Sequence, residues 1–140
     1  MLSNDTQKHI LVVDDEQETV EQIKHVLAAN FKCIVDVAYN GKEALDKLRV
    51  GEHYDLLILD ILVPKLNGIE VCEFMINDQK LKQIPTLLVS ILPLNSDDFQ
   101  KSLAKFKEFA VVKDVLEKPF SDSSLWSKVG KIIGKVESKN

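Results

Sequence analysis

The chain has 140 residues, of which 45% are hydrophobic and 29% are charged, and its net charge at pH 7 is −4. A chain of this length and composition is typical of one soluble globular domain with a substantial core. The mild negative charge argues against a nucleic-acid-binding surface, because the lysines of 101–118 are interleaved with acidic residues.

The cysteines and the apolar runs indicate the compartment. Cys33 and Cys72 lie in apolar segments and share no metal-type spacing, which argues against a disulfide framework and favours a reducing cytoplasm. Residues 1–8 are polar, and the apolar run at 10–13 is too short for a signal peptide or a membrane span. We therefore expect a cytoplasmic domain that does not bind membranes.

Predicted strands and predicted helices alternate along the chain. Short runs of aliphatic residues predict five strands, at 9–13, 32–38, 55–60, 85–90 and 114–117. Apolar residues at helical spacing predict five helices, at 16–30, 40–50, 67–78, 95–110 and 121–136. Asn40 and Asn67 each precede a glutamate by three residues, which is the spacing of a capping box.

The apolar face of each predicted helix follows from its spacing. The residues expected to face the core are Val20, Ile23, Val26 and Leu27 in the first helix, Ala44, Leu45 and Leu48 in the second, Ile69, Cys72, Phe74, Met75 and Ile76 in the third, Phe99, Leu103, Phe106 and Ala110 in the fourth, and Leu125, Val129, Ile132 and Val136 in the last. Trp126 falls one position off the last stripe, and we interpret it as a partly buried anchor. Phe109 could cover the edge of the fourth stripe or belong to a docking surface.

This alternation predicts an α/β fold, in which a parallel sheet with right-handed crossovers carries helices on both faces. No linker rich in Pro, Gly or Ser divides the chain, so we predict a single-domain doubly wound (βα)5 sandwich. In the flavodoxin-like form of this fold the first strand lies beside the third, with strand order 2-1-3-4-5. The predicted domain covers residues 9–137, with a polar extension at 1–8 and a polar tail at 138–140.

Polar residues stand at the carboxyl ends of four predicted strands. Asp14 and Asp15 follow the first strand, Asp60 ends the third, Ser90 ends the fourth and Lys118 follows the fifth. Ligands of open α/β sheets bind just outside these strand ends, so the three aspartates are expected to share one pocket. Their repulsion would raise their pKa values unless a cation offsets it, and an all-oxygen ligand set suits Mg²⁺ better than zinc or copper.

These residue types together indicate phosphoryl transfer. Mg²⁺ and the Lys118 ammonium can neutralise charge on phosphoryl oxygens, and the Ser90 hydroxyl can donate a hydrogen bond to one of them. Asp60 can act as a nucleophile that forms an acyl phosphate. The expected cofactor is Mg²⁺.

From about His9 to about Val136 the chain resembles the receiver domains of two-component response regulators. The resemblance rests on four motifs at strand ends, in the family's order: Asp14-Asp15, Asp60 with Pro64 and Gly68 behind it, Ser90, and Lys118-Pro119-Phe120. It implies a phospho-accepting domain in a His-to-Asp phosphorelay, whose partner is a sensor histidine kinase or a histidine phosphotransfer protein.

The resemblance also implies roles for single residues. Asp60 would be the phosphoacceptor, Lys118 the phosphoryl contact and Ser90 the switch hydroxyl. Similar proteins have a cis bond before the proline, here Pro119, and an X–Pro bond is one where the cis form is accessible.

The metal ligands are likewise implied by the resemblance. Asp15, Asp60 and the backbone carbonyl of Leu62 would bind Mg²⁺ directly. Asp14 would assist through a water molecule.

Four positions depart from the family's pattern. The aromatic residue three positions before the lysine is replaced by Val115, and the small residue after the switch hydroxyl by Ile91. Leu62 and Leu92, two positions beyond the phosphoacceptor and the switch hydroxyl, cannot orient an attacking water. We therefore predict slow self-dephosphorylation and an altered coupling between the hydroxyl and the output surface.

The residues at the predicted strand ends are compatible with three functions. The first is a phosphorylation-dependent switch whose output is protein binding, which is not an enzyme in the ordinary sense. The second is a receiver-like scaffold that binds partners without phosphorylation, which Val115 and Ile91 would allow. The third is a Mg²⁺-dependent phosphatase, but such enzymes carry an acid where Leu62 stands. The downstream partner would be another protein or a fused output domain, with no direct nucleic-acid binding by this domain.

Overall fold

The computed structural model describes residues 7–50, 53–62, 65–91, 97, 100–101, 104 and 109–134. Its strands are β1 (Lys8–Val13), β2 (Cys33–Ala38), β3 (Leu56–Asp60), β4 (Thr86–Ser90) and β5 (Val112–Glu117). Its helices are α1 (Gln17–Asn30), α2 (Gly41–Arg49), α3 (Gly68–Ile76) and α4 (Asp122–Ile133), and a short 3₁₀ helix, Leu81–Gln83, precedes β4. Residues 97, 100, 101 and 104, within the predicted helix 95–110, are also helical.

The strands form one parallel sheet in the order β2-β1-β3-β4-β5. This confirms the predicted fold class and strand order. β3 lies at the centre of the sheet, and all five of its residues are buried, as expected for a parallel strand covered on both faces. Asp60 is therefore the last residue of a fully buried central strand.

Two hydrophobic cores lie on opposite faces of the sheet. Alternate residues of a strand point to opposite faces, so Leu57 and Leu59 join the core beneath α2 and α3. Leu56 and Ile58 join the core beneath α1 and α4. All the residues predicted to face inward on α1 and α2 are buried.

The predicted inward face of α3 is partly wrong. Cys72 and Met75 are buried as predicted, together with Val71, which the prediction omitted. Phe74 is 47% exposed, because it lies at the margin of the stripe that these three residues form. Its ring lies instead beneath the guanidinium group of Arg49, 5.2 Å from ring centre to Cζ.

The predicted course of the chain before β5 also needs correction. Phe109 is buried and Ala110 is exposed, because residues 110–111 form a turn in which helical spacing no longer applies. The other residues of that stripe, Phe99, Leu103 and Phe106, lie outside the described residues. β5 begins at Val112 rather than at residue 114, and a register shift against β4 accompanies this earlier start.

The last helix is shorter than predicted within the described residues. Leu125 and Val129 are buried, whereas Trp126 is 43% exposed, so its ring is only partly covered. α4 ends at Ile133, and Gly134 follows with φ of 83° and ψ of 140°, a backbone conformation that favours glycine. None of the described helices is long and apolar enough to cross a membrane.

Both predicted asparagine caps are present. The Asn67 side chain accepts from the N–H of Glu70, whose carboxylate accepts from the N–H of Asn67, which completes a capping box. The Asn40 side chain accepts from the N–H of Glu43, but the Glu43 carboxylate accepts from Tyr39 instead of Asn40. The caps start α2 and α3 close to the sheet's carboxyl edge.

A close backbone contact joins α2 to the loop after β3. A Cβ atom added at Gly41 would overlap the backbone carbonyl of Leu66. Glycine at this position allows the first turn of α2 to touch the loop directly.

We expect Gly41→Val to lower the free energy of unfolding by about 1–3 kcal/mol, because the added side chain forces α2 and the loop apart. Urea denaturation measures this change. Lys42→Val, at the exposed neighbouring position, is the matched control and should change stability by less than about 0.5 kcal/mol. An unchanged midpoint for Gly41→Val would show that the contact is not tight.

Candidate functional site

The carboxyl ends of β1, β3, β4 and β5 bring the predicted site residues to one edge of the sheet. Parallel strands end at the same edge, so residues that directly follow them become neighbours although they are distant in sequence. Asp14 follows β1, Asp60 ends β3, Ser90 ends β4 and Lys118 follows β5. The predicted meeting of Asp14, Asp60 and Lys118 is confirmed by their contacts.

Three aspartates form an acidic cluster at this edge. One carboxylate oxygen from each of Asp14, Asp15 and Asp60 lies within 4.8 Å of the others. Asp14 and Asp60 are buried and Asp15 is exposed. Among the described residues, this is the one group of three or more acidic, histidine or cysteine side chains with metal-ligand spacing.

Lys118 supplies the positive charge within this cluster. Its Nζ lies 2.8 Å from Glu16 Oε1, 2.9 Å from Asp60 Oδ2 and 3.0 Å from Asp14 Oδ2. The Lys118 side chain is only 10% exposed, and Asp14 and Asp60 are buried, so its attractions to these two aspartates are weakly screened by water, whereas the Glu16 carboxylate is exposed. The peptide bond between Lys118 and Pro119 is cis, as the resemblance implies.

Glu16 is the site residue that the sequence reasoning missed. It is the N-cap residue of α1, so its negative charge lies at the N-terminus of that helix. Its carboxylate, however, also accepts a hydrogen bond from the Lys118 ammonium. No spacing in the sequence indicates which of the nearby acids a long lysine side chain contacts.

Both oxygens of the Asp60 carboxylate have protein partners. Oδ1 accepts from the backbone N–H of Leu62 at 3.0 Å, and Oδ2 accepts from Lys118. A hydrogen bond from the N–H of Gly68 to the carbonyl of Ile61 joins the two ends of the loop after β3. The carboxylate is therefore fixed at the start of the loop.

Among the described residues, only one of the two oxygens of the Asp14 carboxylate has a hydrogen-bond donor. Oδ1 accepts from the backbone N–H of Glu16 at 2.8 Å. Oδ2 is buried, and although Lys118 Nζ lies 3.0 Å away, no donor within the described residues reaches it in hydrogen-bonding geometry. A buried carboxylate oxygen without a hydrogen bond, facing two other acids, fits a site for a hard cation such as Mg²⁺.

The electrostatic environment of the site shifts the pKa values of Asp60, Lys118 and Glu16. Burial raises the pKa of Asp60 from 3.8 to about 6, although the hydrogen bonds from Lys118 and Leu62 oppose this and Asp14 adds to it. Burial would lower the pKa of Lys118, but its bonds to Glu16 and Asp60 outweigh burial and hold that pKa above its ordinary value. The hydrogen bond from Lys118 lowers the pKa of Glu16. For Asp60, burial therefore raises the pKa by more than its hydrogen bonds lower it.

Of the four positions that depart from the family's pattern, Leu62 and Ile91 lie beside site residues. Leu62 and Ile91 are 51% and 57% exposed, and Ile91 lines a groove of about 330 Å³ beside Lys118 and Phe120. Val115 packs against the core beneath α2 and α3. Leu92 lies outside the described residues.

Ser90 is fully buried, and its backbone carbonyl accepts from the N–H of Lys118 at 2.8 Å. This bond ties the end of β4 to the residue that carries the ammonium group. The role of the Ser90 hydroxyl remains a prediction.

The protein-family model of the response regulator receiver domain matches residues 10–130. The chain belongs to this family. Response regulator ArlR of Staphylococcus aureus is 31% identical over 132 residues, which cover 94% of this chain and 55% of that protein. This receiver domain thus spans about half the length of the curated relatives that it matches.

Solved structures of receiver domains have the same fold. The signal receiver domain of a signal transduction histidine kinase from Syntrophus aciditrophicus is 28% identical with a TM-score of 0.77, over 95% of both chains. The phosphorylated cyanobacterial phytochrome response regulator RcpA is 27% identical with a TM-score of 0.73, over 91% of both chains.

Membership of the family fixes the broad function. Receiver domains are signalling domains and not ordinary enzymes. They bind Mg²⁺ in an acidic pocket, and response regulators act with sensor histidine kinases and output domains. This receiver domain has an aspartate cluster at the corresponding edge of its sheet.

We expect Asp60→Asn to stabilise the protein at pH 7.5 in EDTA by roughly 1–3 kcal/mol. The pKa of Asp60 is higher in the folded chain, about 6, than its ordinary value of 3.8. Its contribution to stability is therefore fully present below about pH 4 and is lost as the pH rises through about 6.

Free energies of unfolding measured by urea denaturation between pH 4 and pH 8 check this dependence. The difference between Asp60→Asn and the native chain should grow with pH. Asp46→Asn, at an exposed position, should show no such trend. A difference that is independent of pH would contradict the raised pKa.

Proposed function

We propose that Asp60 is the phosphoacceptor of a His-to-Asp phosphorelay. The observation that carries this proposal is the Asp60 carboxylate itself, which ends the central strand, contacts Lys118 and lies within the acidic cluster. Asp14 is as deeply buried, but its Oδ1 is tied to the start of α1. Asp60 ends its strand, and its Oδ1 accepts from the N–H of Leu62 in the loop that follows.

Asp14, Asp15, Asp60 and the backbone carbonyl of Leu62 would hold the metal ion. Asp15, Asp60 and the carbonyl would bind directly, and Asp14 would act through water. The unsatisfied Oδ2 atom of Asp14 and the all-oxygen donor set support this assignment. When bound, Mg²⁺ supplies positive charge to the phosphoryl oxygens and to the clustered carboxylates.

The phosphoryl donor would be a phosphohistidine of a sensor histidine kinase or a histidine phosphotransfer protein. One carboxylate oxygen of Asp60 attacks phosphorus, an O–P bond forms, and the P–N bond breaks with its electron pair leaving on the imidazole. Lys118 moves its hydrogen bond from Asp60 to a phosphoryl oxygen and neutralises charge there. Its contact with Glu16 can hold the ammonium in place during the exchange.

Ser90 is proposed as the hydroxyl that senses the phosphoryl group. Phosphorylation would shift an existing equilibrium between inactive and active surfaces, which a downstream protein or a fused output domain would read. Val115 packs against the core and carries no ring that could change rotamer. The output surface would therefore respond through β4 and β5 rather than through an aromatic side chain.

A scaffold that binds partners without phosphorylation is the second candidate. The bulky Ile91 in the groove beside Lys118 favours it, because a bulky side chain there crowds access to Asp60. The phosphatase alternative is not proposed, because position 62 carries a leucine in place of the acid that such enzymes use.

We expect the native chain to gain the mass of one phosphoryl group after incubation with acetyl phosphate and Mg²⁺. Intact-mass spectrometry should show this gain, whereas Asp60→Asn should remain unmodified. Asp46→Asn is the matched control and should be modified like the native chain. If the native chain gained no mass, the scaffold would become the better proposal.

We expect the phosphorylated chain to lose its phosphoryl group slowly in Mg²⁺ buffer, because Leu62 cannot orient an attacking water. Leu62→Gln should accelerate the loss several-fold, since an amide can hold a water near the acyl phosphate. Leu62→Met introduces a side chain as long as that of glutamine but without a hydrogen-bond donor, and it should leave the rate unchanged. Time-resolved intact-mass measurement gives the rates, and rapid loss from the native chain would refute the prediction.

A further inference from the structure

A groove of about 240 Å³ opens between α2, α3 and the loop after β3. The side chains that matter for its chemistry are Lys42, Asp46, Arg49, Lys65, Leu66 and Phe74. Three are cationic and one is anionic, in a protein whose net charge is −4. The groove therefore has the opposite sign to the protein as a whole.

Arg49 and Phe74 form the most distinctive pair in the groove. The Arg49 Cζ atom lies 5.2 Å from the centre of the Phe74 ring, which is a cation–π contact. Stacking covers one face of the guanidinium and leaves its N–H edge available to a planar carboxylate. The ring is 47% exposed, so a cation and an apolar surface are presented side by side.

Lys65 adds a second cation from an unusual backbone conformation. Its φ is 63°, in the left-handed region where a residue other than glycine is strained, and such strain clusters at binding sites. Lys42 lies 3.7 Å from Asp46 in an exposed pair that contributes little to stability. Within the described part of the chain, Arg49 and Lys65 have no carboxylate partner.

We propose that this groove docks an acidic peptide segment of a partner protein, with one apolar side chain seated against Phe74. The volume falls below the range of about 300–1,000 Å³ typical of small-molecule sites, but it can take a single side chain. Carboxylates of the segment would pair with Arg49 and Lys65, and this charge complementarity would steer the segment to the groove.

The groove is physically connected to Asp60. The N–H of Leu62 donates to Asp60 Oδ1, Lys65 and Leu66 of the same loop line the groove, and Gly41 packs against Leu66. A phosphoryl group on Asp60 would redirect the Leu62 N–H and displace the loop, so occupancy of the groove and phosphorylation affect each other reciprocally. This coupling, unlike the docking, rests on the proposed phosphorylation of Asp60.

The docking is tested by titrating the ¹⁵N-labelled full chain with a short synthetic peptide in which one leucine is flanked by glutamates and aspartates. In EDTA and low salt, amide shift changes should cluster at α2, α3 and residues 65–66. Arg49→Glu should weaken binding by about ten-fold or more, and Phe74→Ala by several-fold. Arg49 and Phe74 are both exposed, and the amide spectrum of each variant reports whether the protein is folded.

Matched controls separate the groove from general electrostatics. Lys24→Glu makes the same charge change at an exposed position of α1 and should weaken binding less than two-fold or so. A peptide with serine in place of the leucine should bind several-fold more weakly. The docking would be overturned by no binding, by shifts spread over both faces, by equal effects of Lys24→Glu and Arg49→Glu, or by equal binding of a single-stranded oligonucleotide to the groove.

The coupling is tested with beryllofluoride and Mg²⁺, a stand-in for the phosphoryl group. Peptide affinity should change about three-fold or more in the native chain and stay constant in Asp60→Asn. If the Asp60 amide shifts while peptide affinity does not, the coupling is wrong. If the Asp60 amide does not respond, the proposed phosphorylation is in doubt, and the titration in EDTA still decides the docking.

Discussion

The contact of one ammonium group with three carboxylates is the interaction on which the site depends. Asp14 and Asp60 are buried side by side at the ends of adjacent strands, an arrangement that repulsion and desolvation would make unstable without a compensating cation. Lys118 reaches them from an edge strand, and its backbone is itself tied to Ser90. The same ammonium therefore stabilises the carboxyl edge of the sheet and provides a donor for phosphoryl oxygens. Asp14 Oδ2 lies 3.0 Å from it but outside hydrogen-bonding geometry, so this oxygen could still accept from a water molecule bound to a metal ion.

The sequence predicted the fold and most of the site because both depend on simple periodicities. An alternation of strands and helices has few parallel topologies available to it, and residues at the carboxyl ends of parallel strands must become neighbours. That logic placed Asp14, Asp60 and Lys118 together. It also predicted the buried faces of α1 and α2, where each helix has one clear stripe.

The features that the sequence did not predict depend on side-chain choice and local register. Glu16 became a partner of Lys118 because a long, flexible side chain selects among several nearby acids, which spacing alone does not resolve. Phe74 lies at the margin of a stripe, where a small rotation of the helix decides between burial and exposure. β5 starts early because its pairing with β4 shifts register, and no pattern within the strand itself encodes that shift.

The division of the apolar core into two halves has a consequence for how a packing change spreads through the domain. The side chains beneath α1 and α4 are separated by the sheet from those beneath α2 and α3. A packing change beneath one pair of helices therefore reaches the other pair only through the strands of the sheet. β1, β3 and β4 each contribute side chains to both halves, so a displacement of the strand that ends at Asp60 would be transmitted to the packing beneath both pairs of helices.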